Sequence, residues 1–290
     1  MSNKPRKSPP SGASRVAAAQ SKRKSQTTTW LVFGVVLIVG VALLAAIIAT
    51  NGSDDTTKAA SPTEKASILQ QVSSVPATTY DAVGVGTVTG APVPANGEAI
   101  KVDGKPEVLY IGAEFCPYCA AERWAIATAL ARFGTFTNVG TTHSAGADVF
   151  PNTATLTFHG SSYTSKYIAF TPREVQSNKQ SGGVYTTLDT LTPAQQATWS
   201  ALSPNQSFPF VDFGGKYVVS GATYDPGTLQ GKTATEIAGD LADPTSSVAK
   251  AAIGAANAMT AAVCDLTGNQ PAAVCSSKGV TAAKAGLTGT

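Results

Sequence analysis

Histidine and cysteine are scarce in this chain of 290 residues. The two histidines, His143 and His159, fall in unrelated segments, and the four cysteines stand at 116, 119, 264 and 275. A zinc site draws on four Cys or His ligands brought to one place, and this spacing offers no such set. No metal and no cofactor is expected. No internal repeat is found either, which speaks against a stacked-repeat architecture. The first 29 residues lack Asp and Glu altogether while carrying Lys4, Arg6, Lys7, Arg15, Lys22, Arg23 and Lys24, a formal charge of +7. From Trp30 to Ala49 charge is absent, and every residue is apolar or Gly.

Those 20 apolar residues match the roughly 20 that a helix needs to cross the hydrocarbon core. The basic flank orients such a helix with its N-terminus inside. We therefore expect a single-pass plasma-membrane protein: residues 1–29 a cytoplasmic tail, 30–50 the anchor, and everything after it extracytoplasmic. A cleaved signal peptide is the competing reading, but the basic lead is long and Ala46–Thr50 gives a poor small-x-small cleavage site. Of the 21 Lys and Arg in the chain, seven precede the anchor. The other 14 face 18 Asp and Glu, so the outer part carries −4. A mildly acidic ectodomain argues against nucleic acid as a partner.

All four cysteines lie on the outer side, where an even count suggests pairing, 116 with 119 and 264 with 275. The second pair reads as a structural clasp on the tail, with a second redox pair as the alternative. As a clasp, its reduction loosens the C-terminus without unfolding the domain before it. The first pair differs in its setting. Cys116-Pro117-Tyr118-Cys119 follows the apolar run Val108–Ile111 and precedes a segment with Trp124, Ala127 and Leu130 at helical spacing, closed by Gly134 as a C-cap signal. A strand-to-helix junction puts the first thiol at a helix N-terminus, where unpaired N–H groups and the macrodipole favour a thiolate. The second thiol, one turn in, can close a small ring. Such a ring removes little chain entropy, so redox chemistry explains it better than structure does.

Along the chain, residues 51–79 read as a linker and short helix bearing Ile68, Leu69 and Val72. A main domain over 80–243 follows, then a C-terminal helix and tail over 244–290. Strands are expected at 82–89, 99–102, 107–112 and 136–142, with a hairpin joining 153–158 to 163–170. Residues 171–205 read as a helical insertion, with Thr192-Pro193 opening a helix. Phe208–Phe213 and Tyr217–Val219 form a hairpin at Gly214-Gly215, and Thr233–Leu241 a helix. His143 reads as a loop residue or, in the alternative, a proton relay.

Strand, Cys-x-x-Cys on a helix start, then aromatic-Pro, hairpin and final helix: this order resembles the thioredoxin fold. Ala113-Glu114-Phe115-Cys116-Pro117-Tyr118-Cys119 is similar to the thioredoxin run around its redox pair, with the inner dipeptide found in glutaredoxins. Phe208-Pro209 sits where that family carries its cis-proline. The chain looks most like a group of membrane-anchored thioredoxin-like proteins catalogued as a domain of unknown function. The fold implied is α/β, thioredoxin-like with a helical insertion. The resemblance implies Cys116 as the attacking sulfur, Cys119 as the resolving one, and Phe208, Pro209 and Tyr118 as substrate contacts. One departure stands out: thioredoxins place a buried Asp six residues before the first cysteine, and here that position is Tyr110. Glu114, the nearest carboxylate, reads as solvated.

The functions left open differ in class. One is an extracytoplasmic thiol–disulfide oxidoreductase, more a disulfide donor than a reductase. It would act on protein thiols or disulfides of secreted or membrane proteins, with a membrane redox partner. Another is a non-catalytic thioredoxin-fold scaffold for a membrane or secreted partner. A glutathione-dependent enzyme fits poorly outside the cytosol.

Overall fold

The computed structural model describes residues 60–288. The expected anchor at 30–50 and the basic tail before it lie outside the described residues. Among the described residues no helix is long and apolar enough to cross a membrane.

The chain enters through α1 (Pro62–Ser73), capped by Ser61 and Glu64 in a reciprocal pair, and buries Ile68 and Val72. Helix α2 (Ala77–Val83) follows. Here the expected strand over 82–89 is absent. Gly84 and Gly86 take positive φ of 59° and 55° and turn the chain. A Cβ on Gly86 would stand 1.9 Å from the Lys250 carbonyl oxygen, which Thr87 N–H also reaches at 2.9 Å. Backbone contact of that closeness, not strand pairing, fixes the segment.

A mixed α/β architecture is built on one sheet. Two short strands, β1 (Val93–Pro94) and β2 (Lys101–Val102), precede β3 (Lys105–Gly112), and β2 pairs with it. The chain then forms α3 (Pro117–Leu130) and two strands, β4 (Gly134–Thr137) and β5 (Gly140–His143). Asn138, at φ 57°, breaks what reads in sequence as one strand over 136–142, and Gly134 opens β4 instead of capping α3. β6 (Ala154–Thr157) pairs with β5, and β7 (Ser162–Ser165) pairs with β4. The expected hairpin between 153–158 and 163–170 is therefore not formed; each half pairs with a strand earlier in the chain. His143 ends β5, half-buried, with Nδ1 2.8 Å from the Ser144 carbonyl oxygen.

β8 (Ala169–Glu174) runs parallel to β3. The region read as a helical insertion contains a β-hairpin, β9 (Gln176–Ser181) and β10 (Val184–Thr187), ahead of α4 (Pro193–Leu202). Gly182-Gly183, both at positive φ, supply its turn. α4 keeps the expected Thr192 cap. β11 (Phe210–Phe213) and β12 (Tyr217–Ser220) make the expected hairpin and complete the order β1-β12-β11-β3-β2, with β8 on β3. Alternation on β3 then divides the interior. Val108 and Tyr110 join the larger core, which includes α3, whereas Leu109 and Ile111 pack with Phe210, Val218 and Trp199 of α4.

After α5 (Ala234–Asp240), a π-helical turn at Ala249–Ile253 leads into α6 (Gly254–Leu266). Every residue of α6 from Gly254 to Cys264 is buried, and the helix packs against α3. Short α7 (Ala272–Cys275) and α8 (Lys278–Lys284) close the chain, α8 against α6 and α2. The expected division at residue 243 is thus not a division in packing, because the larger core runs from Ile68 to Leu287. Cys264 and Cys275 are bonded to each other, 11 residues apart.

Because Cys264 is fully buried within that core, the expectation that loss of this bond only loosens the tail is revised. A loop of this length gives about 3 kcal/mol in the chain-entropy account. Replacing Cys264 and Cys275 by Ala should lower the unfolding free energy by about that much in one cooperative transition. Trp124 and Trp199 fluorescence and far-ultraviolet dichroism, followed in guanidinium, should shift together. A shifted dichroism signal with unmoved tryptophan fluorescence would show that the tail frays alone.

Candidate redox site

The site is assembled at the junction of β3 and α3. Cys116 is the N-cap residue of α3, and its sulfur accepts from the Cys119 N–H at 3.4 Å. Pro117 opens the helix at a position where no N–H is needed. Both cysteines are free thiols, Cys119 fully buried and Cys116 7% exposed. Their electrostatics diverge. The Cys116 thiol is pushed down to about 7, first by a hydrogen bond from the Cys119 side chain, against the opposing effect of burial. The N–H groups of Cys119 and Tyr118 and the Arg123 charge act in the same direction. The Cys119 thiol is pushed up well above the usual thiol range, chiefly by burial. One cap position and one helical turn separate a ready thiolate from a retained thiol.

α3 is buried on nearly all sides, with Tyr118 its exposed exception. It nevertheless carries Glu122 and Arg123, which the sequence pattern did not single out. Arg123 Nε and Nη2 donate to Glu174 Oε1 and Oε2 at 2.7 and 2.8 Å, and Nη2 also donates to the Ala113 carbonyl at 2.7 Å. Both side chains of this ion pair are fully buried. Its positive member acts on both thiols. A signal was present: Arg123 lies four residues after Cys119 and seven after Cys116, so all three share one helix face. Glu174 sits at the end of β8, in register with Gly112 of β3. Glu122 Oε2 accepts from the Thr223 N–H and hydroxyl, both at 2.9 Å. Burial lifts its carboxyl to about 7. Glu114, read as solvated, is half-buried, and its N–H donates to the Gln176 carbonyl.

The expected substrate contacts come together in part. A groove of about 440 Å³ is lined by Tyr118, Phe150, Ser207, Phe208, Gly221 and Tyr224 among others. Tyr118, 41% exposed, meets the Phe150 ring edge-on at 6.0 Å. Phe208 stacks on Trp199 at 5.1 Å and meets Phe115, beside Cys116, at 6.4 Å. Tyr185 of the β9–β10 hairpin stacks on Phe115 at 4.2 Å. Pro209 itself is buried, follows a cis peptide bond and leads into β11. Trp124 is core, its indole N–H on the Ala154 carbonyl. His159 is exposed and pairs with Asp189 at 2.9 Å. Among the described residues no group of three or more His, Cys, Asp or Glu is placed to hold a metal ion.

Two titrations test this geometry. In a Cys119→Ser protein, which keeps a donor at that position, iodoacetamide labelling of Cys116 should reach half its limiting rate near pH 7. In Cys119→Ala the midpoint should move upward toward the ordinary thiol value, because the first cause of the depression is gone. Equal midpoints in the two variants would assign the depression to the backbone donors instead. For Glu122, the unfolded chain releases the proton at its ordinary 4.5 and the folded one at about 7. The folded state therefore holds more protons between those values. Stability from this group is complete below about pH 4.5 and is lost as pH rises through 7. Glu122→Gln should remove that loss, worth roughly 3 kcal/mol at 1.36 kcal/mol per unit. It should reduce the fall in unfolding free energy between pH 4 and 8, leaving the part due to Asp212, whose carboxyl burial also lifts to about 7. A slope identical to wild type would refute the assignment.

No curated protein matches the chain, and no solved structure matches it. Residues 92–265, which span β3, the Cys116–Cys119 motif, β8 to β12 and nearly all of α6, match the family described as a domain of unknown function (DUF929), and the chain belongs to that family.

Proposed function

We propose that this protein is an extracytoplasmic, membrane-anchored thiol–disulfide oxidoreductase that uses Cys116 and Cys119 and donates disulfides more readily than it reduces them. The observation that carries the reading is the polarised pair: a half-ionised cap thiol at about 7 beside a fully buried thiol well above the usual range. The thioredoxin-like part of the proposal draws support from the strand order β8-β3-β11-β12. There β8 is parallel to β3, β11 and β12 are antiparallel, and the motif stands at the end of β3. The anchor rests on the apolar run 30–49 and its basic flank.

In donation, an incoming substrate thiolate attacks Cys116 Sγ of the Cys116–Cys119 disulfide. The more accessible sulfur is the target, and the buried one leaves. A depressed Cys116 pKa stabilises the reduced form and so raises the potential, which is the direction of an oxidant. Tyr118 and Phe208 would receive the substrate chain in the groove beside the motif, from reduced secreted or membrane proteins.

Equilibration with glutathione tests the direction. The Cys116–Cys119 couple should lie above thioredoxin's roughly −270 mV, and the oxidised protein should convert a reduced peptide dithiol to its disulfide, with Cys116→Ser inert. A potential below that value, with brisk insulin reduction, would reverse the assigned flow of electrons. Failure to exchange with glutathione would favour a non-catalytic scaffold.

A further inference from the structure

Tyr110 stands where the resembled fold carries a buried acid. A tyrosine cannot accept a proton near neutral pH, and burial pushes its hydroxyl further up, well above the usual range. It can, however, donate. The ring is fully buried, and its hydroxyl has no hydrogen-bond partner among the described residues. A buried hydroxyl left unpaired lowers stability, and a Phe would avoid the loss. Gly112 locates the group: a Cβ there would stand 2.1 Å from Tyr110 Oη and 3.1 Å from Cys119 Sγ, which bounds their separation at 5.2 Å. Only a residue without a side chain leaves the hydroxyl and the sulfur facing one shared space. Arg123 Nη1 also lacks a partner among the described residues, and the Arg123 charge acts on both Tyr110 and Cys119.

We infer that the Tyr110 hydroxyl is the hydrogen-bond donor that receives the charge on Cys119 Sγ when this sulfur leaves as a thiolate. The inference rests on the oxidoreductase reading and deepens it. In the first step a substrate thiolate forms an S–S bond to Cys116. The Cys116–Cys119 bond breaks, and its electron pair leaves on Cys119. In the second step the substrate's other thiolate attacks the substrate sulfur of the mixed disulfide and displaces Cys116 as a thiolate. The substrate dithiol is oxidised by two electrons and the protein disulfide is reduced by two. Of the two protons shed by the substrate, Cys119 takes up one, and the other goes to Cys116 or, above about pH 7, to solvent. Tyr110 keeps its own proton throughout. A protonated thiol is a weak acceptor and a thiolate a strong one. An unpaired hydroxyl beside the free Cys119 thiol, as found here, is what this role requires of the resting reduced state.

The test uses the full chain in detergent, oxidised at Cys116–Cys119, with dithiothreitol as the reductant. Tyr110→Phe should slow dithiothreitol oxidation about tenfold, the size of one hydrogen bond to a charged acceptor, while thermal stability holds or rises. In a Cys119→Ser background, capture of glutathione disulfide by the Cys116 thiolate involves no charge at position 119. Its rate should be the same with Tyr or Phe at 110. Equal dithiothreitol rates in wild type and Tyr110→Phe overturn the inference. So does equal slowing in both assays, which would mean that the ring merely shapes the site, and so does a variant that fails to fold, which would give the hydroxyl a structural partner. A wild-type disulfide inert to dithiothreitol overturns the oxidoreductase reading itself; a reactive wild type with an unaltered variant overturns this inference alone.

Discussion

The buried pair Arg123–Glu174 is the constraint on which the site depends. Two charges removed from water are costly, and they persist inside a protein only where geometry and further hydrogen bonds compensate. Here the fork of Arg123 meets both oxygens of Glu174 and also takes the Ala113 carbonyl, while Glu174 Oε1 accepts from the Phe158 N–H at 3.4 Å. One ion pair therefore ties together α3, the end of β8, the residue after β6 and the loop that delivers Cys116. Removal of either partner would strand a buried charge, at about 3–5 kcal/mol. The loop before the first cysteine is held by a charge, and that charge also favours the thiolate at both sulfurs.

Two thiols three residues apart nevertheless behave differently, and the Arg123 charge, which favours the thiolate at both, is not the cause. Burial opposes the thiolate at both positions. At Cys116 it is outweighed by donors: the Cys119 side chain and N–H and the Tyr118 N–H converge on the cap sulfur. At Cys119 the Ala113 backbone and Arg123 favour the thiolate, yet complete burial wins. A fall from 9.0 to about 7 corresponds to roughly 3 kcal/mol at 1.36 kcal/mol per unit, a scale that two or three hydrogen bonds to a charged acceptor can supply. The asymmetry is a property of the cap position and needs no carboxylate at position 110.

Much of this was legible in the sequence wherever the signal is local. Thr192-Pro193 opens α4, Thr233 stands at the start of α5, and Gly214-Gly215 makes its hairpin. Cys116, Cys119, Tyr118 and Phe208 stand out by motif and do come to one region. What escaped is non-local. β6 and β7 pair back to strands formed earlier, and no turn residue announces that choice. The run Ala82–Thr89 alternates like a strand but is claimed by α2 and by backbone contact with Lys250. Arg123 and Glu174 carry no local signal, because charged residues are almost never fully buried unless paired, and the partner lies 51 residues away.

The C-terminal helix makes the same point through size instead of charge. An alanine-rich stretch after Asp243-Pro244 reads as an appendage, since it offers little apolar bulk. Small side chains do something else in a core: they let helix axes approach and backbones touch. A Cβ on Gly254 would stand 2.6 Å from the Val85 carbonyl oxygen, and α6 packs directly on α3. Asn257, fully buried, donates to the Tyr80 and Gly84 carbonyls at 2.8 Å and so satisfies the end of α2. The helix that carries Cys116 at its cap is therefore buttressed from behind by one whose value is thinness. Dense packing transmits position: α3 can hold Cys116 at a fixed point over β3 only because α6 fills the space behind it, and the Cys264–Cys275 bond secures the end of that buttress.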